Sequence, residues 1–238
     1  MDIADNSLLA VGASPAMIHT PEESGDFSPV AGALTVNIGT ISPNWLEGME
    51  KAIEAANKAK VPWVLDPVAH FATPYRQTSI ARLISLEHSV VRGNASEIQS
   101  LVDQNKISSK GVDSSIESHA AIESGKILSK ENDCVVFISG GDDFIIHDDK
   151  ITKISNGSSI MTKVTAIGCS LSCIVGAFAA VGESLYKSAI SSAAIFSIAG
   201  ELAASKSEGP GDFQVNFLNK LNNITEKEIL DNLKITSV

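Results

Sequence analysis

Hydrophobic residues along the chain alternate between two regimes. Short runs rich in β-branched residues, "ALTVNIG" (33–39), "VPWVLD" (61–66), "SVVRGN" (89–94) and "CVVFISGG" (134–141), are too brief for helices and end in polar or glycine-rich loops. Each reads as a strand buried on both faces. Between the first two lies "SPNWLEGMEKAIEAANKA" (42–59), where Trp45, Met49, Ile53 and Ala56 recur at helical spacing and define an amphipathic helix. Ser42 is placed to cap its N-terminus and Pro43 to occupy its first turn. Weaker helical patterns cover 73–86 and 95–102, and a better one covers 118–130. Strand and helix therefore alternate, which predicts a mostly parallel sheet with helices on both faces. "FIIHDDKITKIS" (144–155) departs from that order and reads as a hairpin around Asp148 and Asp149, expected at a sheet edge. From Gly168 the chain is helical through Lys206, with further helices over 212–221 and from Glu226. The best breaker, "SEGPGDFQ" (207–214), precedes too few residues for a second domain, so 1–238 is expected to form one α/β domain.

Composition narrows the partners. With 44% hydrophobic and 19% charged residues the chain has ample material for a core. Its net charge of -10, with 18 Lys and Arg scattered along it, repels nucleic-acid backbones and anionic lipid surfaces. The longest apolar stretch, 174–181, is far below the roughly 18 residues that span a bilayer. Cys134, Cys169 and Cys173 are odd in number and lack CxxC spacing, and the first residues carry no basic, apolar leader. Both features point to a cytoplasmic protein. His19, His70, His88, His119 and His147 are scattered without zinc-ligand spacing.

Ligands of parallel sheets bind beyond the carboxyl ends of the strands. There the sequence places Asp66-Pro67, then Arg92-Gly93-Asn94 with Glu97, then Ser139-Gly140-Gly141, and finally 165–169 ahead of the last helices. Each also has a plain structural reading. Asp-Pro makes turns, Asn94 and Glu97 have the spacing of a capping box, and the glycine pair suits a flexible strand end. Gly168-Cys169 opens a long apolar helix. Its first N–H groups and positive dipole end suit a phosphate, and the same dipole is expected to lower the Cys169 thiol pKa. A small buried cysteine at a helix start is the structural alternative.

Read together, "GASPAM" (12–17), "VNIGTISPNW" (36–45), "VLDPVA" (64–69), "RGNASEI" (92–98), "KGVDS" (110–114) and "VTAIGCSLS" (164–172) occur in the order seen in hydroxyethylthiazole kinases, a family this chain resembles. The resemblance implies a three-layer α/β/α ribokinase-like fold and transfer of the γ-phosphoryl group of ATP to 4-methyl-5-(2-hydroxyethyl)thiazole. It also implies a magnesium ion and a homotrimer with substrate sites between subunits. By matching motif, Met17 and Ala166 would contact the thiazole, and Arg92 and Ser139 would bind ATP. Asp66, Asn94 and Glu97 would lie by the magnesium, directly or through water, with Gly168 and Cys169 at the transferring phosphoryl group. Cys169 stands where the wider superfamily carries an Asp base.

The chain departs from the family pattern in places. It begins inside the family's first helix, so the first strand and its "ITN"-like loop are expected to be missing. Ile167 stands where a small residue is usual and is expected to disfavour the positive φ of a phosphate loop, and Phe71 is bulky where relatives are glycine-rich. Two alternatives follow: a truncated, catalytically impaired relative that binds ligands or partners, and a kinase of a related alcohol such as hydroxymethylpyrimidine.

Overall fold

A computed structural model describes residues 2–103 and 114–238, with side chains described for all of these except 114–119. The order of elements is α1 (Asp2–Ala10), α2 (Ser24–Phe27), β1 (Leu34–Asn37), α3 (Pro43–Ala59), β2 (Trp63–Asp66), α4 (Pro74–Ile84), β3 (Val90–Asn94), α5 (Ala95–Val102), α6 (Ser114–Asn132) and β4 (Val135–Ser139). There follow β5 (Asp143–His147), β6 (Lys150–Ile154), α7 (Ile167–Val181), α8 (Leu185–Ala204), α9 (Pro210–Asn223), α10 (Glu226–Asn232) and β7 (Ile235–Ser237). The strands lie in sequence order in one sheet, with β1 to β4 parallel and β4 to β7 paired antiparallel. Because two reversals restore direction, β6 runs with β1 to β4 and the sheet is mostly parallel.

Period-two alternation sorts the strand side chains into two cores. Val64, Val90, Val135, Phe137 and Ile145 face α7, α8 and α9, packing on Leu171, Ile174, Phe196 and Phe217. Leu65, Val91, Val136, Ile138 and Ile146 face the other way, onto Leu46, Ile53, Leu83, Ile98 and Leu128 of α3 to α6. The three layers expected of a ribokinase-like fold are present. Among the described residues no helix is long and apolar enough to cross a membrane.

Two sequence expectations need correction. The hairpin is real, with Asp148 at φ 55° in its turn, but β7 pairs with β6 and takes the edge. The short exposed run "ITS" gave no periodic signal, so the strand went unseen. In α3, Ser42 caps the helix by accepting the Trp45 N–H, but the buried face runs through Leu46, Ala52, Ile53 and Ala56. Trp45 turns partly outward, its ring centroid 5.2 Å from that of His19. The motif residues 110–113 lie outside the described residues.

Candidate active site

The same alternation that builds the core carries one polar residue from each parallel strand to its end on the α7 face. Asn37, Asp66, Arg92 and Ser139 share the parity of Thr35, Val64, Val90 and Phe137, and so form a row across β1 to β4. The row is bonded. Asn37 Nδ2 donates to Asp66 Oδ2 at 2.7 Å, Arg92 Nη1 lies 4.0 Å from that oxygen, and Arg92 Nη2 donates to Ser139 Oγ. From α7 above, Ser172 Oγ also donates to Asp66 Oδ2, at 2.8 Å. Asp66 is fully buried, and Arg92 is 8% exposed.

The N-terminus of α7 closes the site. Ala166 caps it in the left-handed region, at φ 63°, with no side chain serving the first amides. The first amide used inside the helix is that of Ser170, which bonds the Ala166 carbonyl, so the N–H groups of Gly168 and Cys169 precede the helical ladder. Gly168 is glycine for a reason of space. A Cβ there would lie 3.0 Å from Arg92 Nη1, so the bare backbone lets the guanidinium lie against the helix start. The strained residue is therefore Ala166, and Ile167 lies within the first turn of the helix, contrary to the expectation that Ile167 would have to adopt positive φ.

The expected low thiol pKa of Cys169 is also reversed. Burial pushes it up, and the nearby Asp66 carboxylate adds to the rise. A hydrogen bond from Asn37 and the charge of Arg92 offset this only in part. Desolvation of the half-buried thiol is the largest cause. One turn on, Cys173 is raised to about 12 by burial. Burial likewise raises Asp66, against the pull of Arg92, Ser172 and Asn37.

Asn94 and Glu97 form the capping box that their spacing suggests. Asn94 Oδ1 accepts the Glu97 N–H at 3.0 Å, and Glu97 Oε2 accepts the Asn94 N–H at 2.8 Å. Glu97 Oε1 reaches further and accepts the Ala69 N–H at 2.9 Å, tying down the loop after β2. His70 Nε2 lies 3.0 Å from the Glu97 carbonyl oxygen. A carbonyl only accepts, so the ring carries a hydrogen on Nε2, and burial lowers its pKa against the pull of Glu97. Met17 lies 46% exposed on the stretch between α1 and α2, outside this bonded network.

Sequence reasoning passed over four residues. Asn37 stood inside a quoted motif, and its parity with Asp66 was the available signal. Ser172 follows Cys169 by three positions on the same helix face. Arg76, in the first turn of α4, donates to the carbonyls of Ile38 (2.9 Å), Val68 (2.8 Å) and Gly39 (2.7 Å), pinning the loops after β1 and β2. Asp143 starts β5, buried, with Oδ1 accepting the Gly140 N–H at 3.1 Å. Burial lifts its pKa to about 7 against that hydrogen bond and the charge of Arg92.

A divalent cation fits this donor set in one way. Among the described residues no three His, Cys, Asp or Glu side chains gather into a cage. Both Glu97 oxygens already accept main-chain N–H groups. Asp66 Oδ1, by contrast, is buried without a hydrogen-bond partner. One free carboxylate oxygen near the open amides of α7 has the chemistry that magnesium takes, since that ion needs few protein ligands and keeps several waters.

Comparison with known proteins gives the chain's family. Residues 1–227 match the model of the Hydroxyethylthiazole kinase family. The hydroxyethylthiazole kinase of Rhizobium rhizogenes is 45% identical over 239 residues, covering 100% of this chain and 89% of that one. The structure of the hydroxyethylthiazole kinase protein from Pyrococcus horikoshii OT3 superposes with a TM-score of 0.91 at 32% identity, over 100% of this chain and 89% of that one. The pyridoxal kinase of Staphylococcus aureus in complex with ADP has a TM-score of 0.67 at 16% identity over 99% and 92%, a likeness of fold.

Proposed function

The chain belongs to the hydroxyethylthiazole kinase family, and from that premise we propose how its residues divide the work of phosphorylating the hydroxyl of 4-methyl-5-(2-hydroxyethyl)thiazole at the expense of ATP. The observation that carries the division is the row of Asp66, Arg92 and Ser139 lying against the start of α7, whose first amides no capping side chain serves. Phosphoryl transfer needs positioning and charge neutralisation more than covalent chemistry. Arg92 and Ser139 hold the nucleotide phosphates. The amides of Gly168 and Cys169 take the oxygens of the migrating group, at the positive end of the helix. Magnesium, when bound at Asp66 Oδ1, neutralises phosphate charge. Asn94 and Glu97 stand behind it, shaping the loop or meeting the ion through water.

Cys169 accepts the proton of the acceptor alcohol late in the transfer. Ala166 and Met17 line the thiazole side. We read residues 1–238 as one cytosolic kinase domain that assembles as a homotrimer. The exposure of Met17, Phe27 and Val30 along the N-terminal stretch supports an interface there. The three cysteines are free, in keeping with a reducing compartment.

The test is a coupled assay with ATP, magnesium and the thiazole, run beside hydroxymethylpyrimidine. Turnover of the thiazole at the higher kcat/KM supports the reading, and a folded protein that turns over neither compound rejects it. Sedimentation equilibrium at three times the monomer mass supports the trimer.

A further inference from the structure

Asp66 and Arg92 are opposite charges on neighbouring strands, both more than nine-tenths buried, yet their closest approach is 4.0 Å. Asp66 Oδ1 and Arg92 Nε are both buried without a partner. In a weakly polarisable interior such a pair gains most by closing into a bidentate bridge. Something holds it open. Asp66 Oδ2 is taken by two neutral donors from two different elements, Asn37 of β1 at 2.7 Å and Ser172 of α7 at 2.8 Å. Asn37 is itself fixed, because its Oδ1 accepts the Gly39 N–H at 2.8 Å. On the other side Ser139 engages Arg92 Nη2.

Ser172 is unusual among its neighbours. Ser170, Ser192 and Ser197 are also buried in α7 and α8, and each donates to a carbonyl of its own helix. Ser172, with 0% exposure, donates across to the sheet instead. A hydroxyl there is needed for Asp66 and not for the helix.

We infer that Asn37 and Ser172 are positioning residues that hold the Asp66–Arg92 pair open, so that carboxylate and guanidinium meet a metal–phosphate ligand rather than each other. The inference rests on the kinase reading for the nature of that ligand, and it extends the reading to two side chains that hold Asp66.

The experiment measures Mn2+ binding, by electron paramagnetic resonance, in the presence of a nonhydrolysable ATP analogue. Ser172→Ala is nearly isosteric, and Asn37→Ala provides a second variant on another element. Each is expected to weaken Mn2+ binding about tenfold or more, since a hydrogen bond to a charged group is lost. Ser192→Ala, which also deletes a buried hydroxyl, is the control and leaves Mn2+ binding unchanged.

The decisive arm places Ser172→Ala in an Arg92→Gln background. With no guanidinium to close on, the serine substitution has little further effect, whereas a general loosening of the fold gives the same loss in both backgrounds. Unchanged Mn2+ affinity in Ser172→Ala, equal losses in the two backgrounds, or a wild type that takes up no Mn2+ overturns the inference. A wild type that shows these differences but does not phosphorylate the thiazole supports the inference and rejects the substrate assignment instead.

Discussion

Cys169 and Ala166 stand three residues apart at one helix start and answer to different forces. The Cys169 thiol is raised by burial and by Asp66, so at neutral pH it is protonated and only a small thiolate fraction can accept a proton. General-base help is worth up to about 10² to 10⁴-fold when the base is in its active form. We expect Cys169→Ala to lower kcat about tenfold at pH 7. The deficit grows toward pH 9, where the wild type gains thiolate and the variant cannot. Calorimetry should show nucleotide affinity unchanged. Ala166, at φ 63°, carries a Cβ where glycine is at ease. Glycine there removes the strain but frees the unfolded chain, so Ala166→Gly should change unfolding free energy by less than about 0.5 kcal/mol. Ala166→Val should cost at least about 1 kcal/mol, because a β-branched residue tolerates that region worse. Urea unfolding distinguishes the two.

At the scale of elements, the site is held by contacts between elements rather than within them. Arg76 in α4 fastens three carbonyls in the loops that follow Asn37 of β1 and Asp66 of β2. We expect Arg76→Ala to cost about 2–3 kcal/mol of stability, as charged hydrogen bonds to partly buried carbonyls are lost. It should also lower kcat and raise the magnesium requirement, which depend on those loops. Arg76→Lys should recover only part, since one ammonium cannot spread over three acceptors as the planar guanidinium does. Thermal unfolding and magnesium titrations check both. Gly176 plays a comparable part for α7, which lies across β1 and β2. A Cβ there would come 2.7 Å from Thr35 Oγ1. Gly176→Val should therefore lift α7 off β1 and destabilise the protein by about 1–3 kcal/mol, with the loss read in urea. Neither residue announces itself in the sequence. Arg76 lies in a weakly patterned helix, and Gly176 in a segment apolar all round.

For the whole molecule, the pH dependence of stability should be marked by Asp143. Its carboxyl is raised to about 7 by burial, so between pH 4 and 7 the folded state binds a proton that the unfolded chain has released. This group therefore opposes folding increasingly as pH rises through that window, and fully above it. We expect Asp143→Asn, whose amide oxygen can still accept the Gly140 N–H, to be more stable than the wild type at pH 8 by at least about 1 kcal/mol. The advantage should vanish near pH 4, as measured by unfolding midpoints across pH. What the sequence determined by itself was whatever is written locally. The β-branched runs fixed four strands, helical spacing and caps such as Ser42 fixed the main helices, and the Asn94–Glu97 spacing announced its capping box. The ordered motifs named the polar residues at and near the strand ends. Tertiary structure decided what depends on neighbours distant in sequence. It determined the burial that raises the Cys169 thiol, the crossing of α7 that brings Ser172 onto Asp66, and the pairing of β7 that removes the hairpin from the edge. Desolvation, pairing and charge separation are properties of the space around a group, and that space exists only once the sheet has brought distant segments together.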